Sequence, residues 1–275
     1  MTQRASKELL LLGLLIVITA CVAFFSQQYI KNRSSLQLGL NQMDQFSIDM
    51  EKKFSKQVKN IIIKDAALVN SPEISHLIDS ITNRFEHSIE DIPYPIEVLV
   101  VNSSTVNAVT FPGGLIVIYV PLIRLCDSPE QLASVIAHEV AHVVNRDPLK
   151  RMVRQFGVST VLSIMGGGSS THLQSVIKNL IDVTYTREQE ERADSTAFFF
   201  LAEAGICPSH FSDFMNKLDE ETSEGDSPLR YFSTHPPVRS RIQNANSAAL
   251  KYDVDAIPLD FNWDELLKGL PSIFD

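Results

Sequence analysis

His138, Glu139 and His142 stand inside an otherwise apolar run, VIAHEVAHVV, residues 135–144. On a helix turning about 100° per residue, His142 comes one turn after His138 and about 40° round from it. Two imidazoles on one face at that spacing can grip a single Zn²⁺ at about 2.0–2.1 Å. Glu139 lies at the margin of this face, where it can act on a water rather than on the metal. Leu132, Ala133, Ile136, Val140, Val143 and Val144 fall on the other side and would anchor the helix. The chemistry implied is hydrolysis. Zinc lowers the pKa of a water to about 7, and Glu139 takes the proton and hands it to the leaving amine. No GxSxG or triad signature suggests a serine route.

Such a centre needs a third ligand. The stretch YTREQEERADSTAFFFLA, residues 185–202, offers three glutamates, and helical phase separates them. Glu190, Asp194, Ala197, Phe198 and Leu201 share one stripe, at i, i+4, i+7, i+8 and i+11. Glu191 is turned about 100° away and can pair with Arg187 on the surface, and Glu188 points farther off. Two acids on an apolar stripe are costly to bury unpaired. A metal and its histidine remove that cost, with Glu190 as third ligand and Asp194 accepting the second N–H of a ligand histidine.

The elements that must position these groups can be read around them. Ser128-Pro129-Glu130-Gln131 predicts a helix start with a capping box, a helix to about Asn145, and Pro148 as its stop. Residues 71–85 predict a helix, YPIEVLVV a strand, and residues 107–120 a β-hairpin with Pro112-Gly113 at the turn. MGGGSS, residues 165–170, breaks the helical pattern that follows. The expected fold is α+β and predominantly helical, a zincin-like domain with a small hairpin or sheet beside the HExxH helix. The expected organisation is an N-terminal anchor at 1–30, a helical connector at 31–70, the catalytic domain at 71–250 and an irregular tail at 251–275 with one short helix. A net charge of −9 and the absence of a Lys/Arg block argue against nucleic acid as a partner. Cys126 and Cys207 read either as two buried thiols or as one disulfide.

Leu9–Phe25 is an uncharged apolar run of a length that approaches the bilayer core. It predicts a membrane anchor in the bacterial inner membrane with the catalytic domain in the periplasm. Two alternatives are a lipoprotein lipidated at Cys21, where ITAC looks like a cleavage box, and a cleaved signal.

Four stretches together, NAVTFPGG, VIAHEVAHVVNRD, YTREQEERAD and STHPPVRSRI, resemble in order and spacing the gluzincin family that holds the CAAX prenyl endopeptidase, HtpX and periplasmic or mitochondrial quality-control proteases. The resemblance spans about residues 70–245 and implies one zinc per chain and polypeptide substrates, with misfolded or misassembled envelope proteins as the expected targets. It also implies that His235 and Arg241 lie beside the zinc. His235 would either donate to the developing oxyanion or occupy the open metal position as a brake. Arg241 would hold a carboxylate or the substrate backbone. Asn107, Ala108 and Val109, on an exposed edge strand, would pair with an extended substrate. The rival reading is an assembly or chaperone-like factor with a zinc-stabilised fold and latent proteolysis.

Overall fold

A computed structural model describes residues 48–89, 92, 94–167, 170–223, 230–235 and 239–272. The apolar run Leu9–Phe25 and Cys21 lie outside them. Among the described residues no helix is long and apolar enough to cross a membrane. The membrane-anchored localisation expected from the sequence is therefore corrected: the described residues supply no spanning helix to carry it.

Helix α4 (Pro129–Val144) carries His138, Glu139 and His142. Ser128 caps it by accepting from the Gln131 amide at 3.2 Å. The Gln131 side chain accepts instead from the Asp127 amide, one residue before the cap, at 2.8 Å. Apart from Glu130 and Val144 every residue of the helix is buried. Its ligand-bearing face is therefore as enclosed as its apolar back. It ends where Arg146 adopts a left-handed backbone, φ 52° and ψ 31°. For a residue with a side chain that conformation costs roughly 1–2 kcal/mol. The chain then re-enters a helix at once, α5 (Asp147–Phe156), with Pro148 in its first turn. Pro148 thus starts a helix, a position where its missing N–H costs nothing.

Beside α4 runs a four-stranded sheet in the order β1-β2-β4-β3. The strands are β1 (Ala67–Leu68), β2 (Glu97–Asn102), β3 (Ala108–Phe111) and β4 (Leu115–Tyr119). The β3–β4 pair is the expected hairpin, with Thr110 opposite Ile116. β2 and β4 run parallel. Ala108, Ile116 and Ile118 pack into the core with Leu132, Ile136 and Val140 of α4. On the other face Val109, Phe111 and Val117 line an apolar cavity with Ile61 and Ile62 of α1 (Ile48–Asp65) and Ile177 of α7 (Ser170–Asp182). α1, within the stretch expected as a connector, buries Phe54, Val58 and Ile62 at a spacing of four. Among the described residues the remaining helices before α4 are α2 (Pro72–Ser88) and α3 (Val120–Leu125). Those after it are α6 (Val158–Met165), α8 (Arg187–Glu203), α9 (Ser209–Ser223), α10 (Arg230–Thr234), α11 (Arg239–Tyr252) and α12 (Trp263–Lys268).

The C-terminal stretch has no period, yet it is fixed to the domain. Arg84 donates to the carbonyls of Ile257 and Pro258 at 2.7 and 2.9 Å. Arg124 donates to those of Leu270 and Pro271 at 3.0 and 3.1 Å. Leu259, Leu266 and Leu270 are buried in the same core as α4. Cys126 and Cys207 are both free thiols.

Candidate metal centre

α8 packs along α4 and supplies the acidic half of the site. Thr186 and Gln189 form a reciprocal capping box that fixes its first turn. Glu190, Asp194, Ala197, Phe198 and Leu201 are all buried, and Glu191 pairs with Arg187 at 2.9 Å on the exposed side. α10 and the residue after it bring in His235. Three bonds hold that segment: Tyr231 N–H to Val106 carbonyl (3.1 Å), Tyr185 N–H to Thr234 carbonyl (3.1 Å) and Thr184 hydroxyl to Ser233 carbonyl (2.7 Å).

Donor atoms of His138, His142, Glu190 and His235 converge on one point. His138 Nε2 lies 3.1 Å from His142 Nε2 and 3.2 Å from His235 Nδ1. Glu190 Oε1 lies 3.1 Å from His235 Nδ1 and 3.5 Å from His142 Nε2. A tetrahedron with bonds of about 2.0–2.1 Å has edges of about 3.3–3.4 Å, and these four spacings lie close to that value. Three ring nitrogens turned on each other cannot all find a proton to share. A cation between them removes the conflict, and the residues present fit a zinc ion.

Two of the rings have a carboxylate behind them. His138 Nδ1 lies 3.0 Å from Asp194 Oδ1, and His142 Nδ1 lies 3.0 Å from Asp147 Oδ2. Asp147 also accepts from Gln189 Nε2 at 3.2 Å and Arg192 Nη2 at 2.6 Å. Arg241 grips Asp194 in a fork, Nε to Oδ2 at 2.7 Å and Nη2 to Oδ1 at 2.8 Å, and its Nη1 lies 2.8 Å from Glu190 Oε2. His142 stacks on Tyr185 at 3.9 Å, and His235 on Tyr231 at 4.6 Å.

Glu139 is fully buried beside this group. Its Oε2 accepts from the Thr110 hydroxyl at 2.6 Å, while Oε1 has no hydrogen bond and lies 3.5 Å from His235 Nε2. Burial pushes its pKa up, but the histidines around it and Thr110 outweigh burial and the net shift is downward. For Glu190 burial again opposes the charge, and the three histidines hold the carboxyl well below its usual range. Burial also lowers the pKa of His235 despite the nearby carboxylates, which favours the neutral ring.

Asn107, Ala108 and Val109 are not exposed: each is at least nine-tenths buried. β3 is an edge strand in pairing only. Asn107 carbonyl accepts from the Tyr119 amide, so by alternation Ala108 and Thr110 turn their main-chain groups to the outer side. There Arg151 Nη2 already donates to the Thr110 carbonyl at 3.3 Å. The Asn107 side chain has no partner for either its nitrogen or its oxygen.

Peptidase family M48 matches residues 72–249. The chain belongs to that family. Family and donor geometry agree on a zinc-dependent peptidase. Among relatives, the beta-barrel assembly-enhancing protease of Yersinia pestis is 28% identical over 74% of this chain and 44% of its own length. That of Escherichia coli K12 is 26% identical over 77% of this chain and 46% of its own. The mitochondrial metalloendopeptidase OMA1 of Arabidopsis thaliana is 31% identical over 53% of this chain and 30% of its own. The chain thus spans less than half the length of these relatives.

Sequence reasoning did not find Asp147, Thr110, Tyr185 or Tyr231. Asp147 follows His142 by five residues, beyond the helix end, and reaches back only because Arg146 turns left-handed. Thr110 meets Glu139 across 29 residues of chain, a contact with no local signal.

Proposed function

We propose that this M48 member is an endopeptidase that cleaves extended stretches of unfolded polypeptide, with misassembled envelope proteins as its substrates. The name of its bacterial relatives supports the substrate class. The observation that carries the reaction is the cluster of four donor atoms with the half-satisfied Glu139 carboxylate against it. His138, His142 and Glu190 are the ligands, and Asp194 and Asp147 fix the two rings. When bound, the zinc supplies Lewis acidity that activates a water and polarises the scissile carbonyl. Thr110 holds Glu139 Oε2, leaving Oε1 to take the proton from water and deliver it to the leaving amine. Arg241 neutralises the buried Asp194–Glu190 pair. Asn107 and the outer main-chain groups of Ala108 receive the substrate backbone, and the orphaned Asn107 amide supports this, because a buried polar group without a partner is costly.

His235 Nδ1 stands at the fourth vertex. A catalytic zinc keeps that vertex open for water, while a closed set of four protein ligands is the pattern of structural zinc. Two readings follow. In the first, favoured here, the structure is a resting state and His235 withdraws for catalysis, along with Arg151 from the substrate edge. In the second, the zinc is structural and the chain is an assembly factor with latent proteolysis. A fully buried carboxylate with one oxygen unbonded has no use in a structural site, which supports the first. Purified protein should cleave an unfolded β-barrel protein internally, leave the folded barrel intact, lose activity to a chelator and regain it with zinc. Failure to cut any unfolded chain, with zinc bound, would favour the assembly factor.

A further inference from the structure

Glu51 lies in the first turn of α1, yet its side chain is fully buried. A buried carboxylate is costly unless it is fully partnered. Its Oε1 accepts from Arg146 Nε at 3.0 Å and Nη2 at 2.6 Å, and its Oε2 from the Tyr94 hydroxyl at 3.1 Å. Arg146 is the left-handed residue between α4 and α5. A strained backbone of this kind persists when its surroundings over-determine it. The left-handed turn in turn aims the next residue, Asp147, at His142 Nδ1.

The main chain of Glu51 has a second contact. Gly113, at φ +89° in the β3–β4 turn, comes so close that a Cβ there would stand 2.3 Å from the Glu51 carbonyl oxygen. The hairpin seated this way carries Thr110, the partner of Glu139. One helical turn therefore touches both the α4–α5 junction and the hairpin.

From this geometry we infer that Glu51 is a positioning residue for the metal centre, acting through Arg146 and Asp147 on His142. Its grip on the guanidinium holds Arg146 left-handed. Without it the turn relaxes, Asp147 withdraws and His142 is no longer fixed for the metal. The inference rests on the zinc reading above.

The test measures zinc dissociation constants by competition with a colorimetric chelator. Glu51→Gln keeps the shape and removes the charge, and should weaken zinc about tenfold, at the low end for residues that orient a ligand. Adding Arg146→Gly should restore affinity to within about twofold, because glycine takes the left-handed turn without strain. Adding Arg146→Ala should not. Alanine keeps the left-handed strain that glycine lacks, so affinities are compared where circular dichroism shows both doubles fully folded; there a merely structural role leaves their zinc constants equal. Equal affinity of those two, or an unchanged constant for Glu51→Gln, would overturn the inference. Should Glu51→Gln alone fold poorly, comparison of the two double variants still decides. Wild-type protein that binds no zinc would instead remove the reading on which the inference stands.

Discussion

Glu139→Gln will slow cleavage of an unfolded polypeptide by about 10²- to 10⁴-fold, the usual contribution of a positioned general base. Glutamine fills the same volume, and its carbonyl can still accept from the Thr110 hydroxyl that now bonds Oε2 at 2.6 Å. It lacks the charge that burial opposes and the surrounding histidines favour. The metal ligands are untouched, so zinc content and thermal melting should match wild type. Steady-state cleavage and metal analysis on the same sample check this. If the variant cuts as fast as wild type with its zinc in place, Glu139 is not the base and the proposed mechanism is wrong.

His235→Ala should act in the opposite direction. His235 Nδ1 sits 3.2 Å from His138 Nε2 and 3.1 Å from Glu190 Oε1, within the ligand set. Its other nitrogen faces the unbonded Glu139 Oε1. On the proposed resting-state reading it would fill the place of the water and stand over the base. The bonds from Thr184, Tyr185 and Tyr231 and the stack on Tyr231 keep it there. If the open form makes up about 1–10% of molecules, freeing the vertex raises the rate about 10- to 100-fold. Three ligands remain, which suffices for a catalytic zinc. Initial rates on the same unfolded substrate decide the matter. A fall in rate with zinc retained would give His235 the oxyanion role instead.

Much of this architecture is legible in the chain because it repeats with a period. The helix of His138 and His142 and the inward stripe of Glu190 and Asp194 follow from a spacing of about 3.6 residues, and the hairpin from its Pro112-Gly113 turn. What escaped has no period. β1 is two residues long, too short to alternate. The C-terminal stretch is held by arginines donating to main-chain carbonyls some 146 to 174 residues away. Glu51 looks like one more charge on a polar helix, and its burial depends on an arginine 95 residues later. The turn at Arg146 is hidden for another reason: left-handed backbone is ordinarily the sign of glycine, and no glycine marks it. The edge strand shows the limit from the other side. The Pro112-Gly113 turn identifies the β3–β4 hairpin, but only the tertiary fold brings Arg151 onto the outer edge of β3.

The central claim is that one zinc ion is held by His138, His142 and Glu190. Metal content of the purified, folded protein tests it most directly, alongside a His138→Ala/His142→Ala variant shown to be folded. The account predicts one equivalent of zinc in the wild type and none in the variant. Folded wild-type protein that carries no zinc and takes up none when supplied, or a variant that keeps a full equivalent, would contradict it.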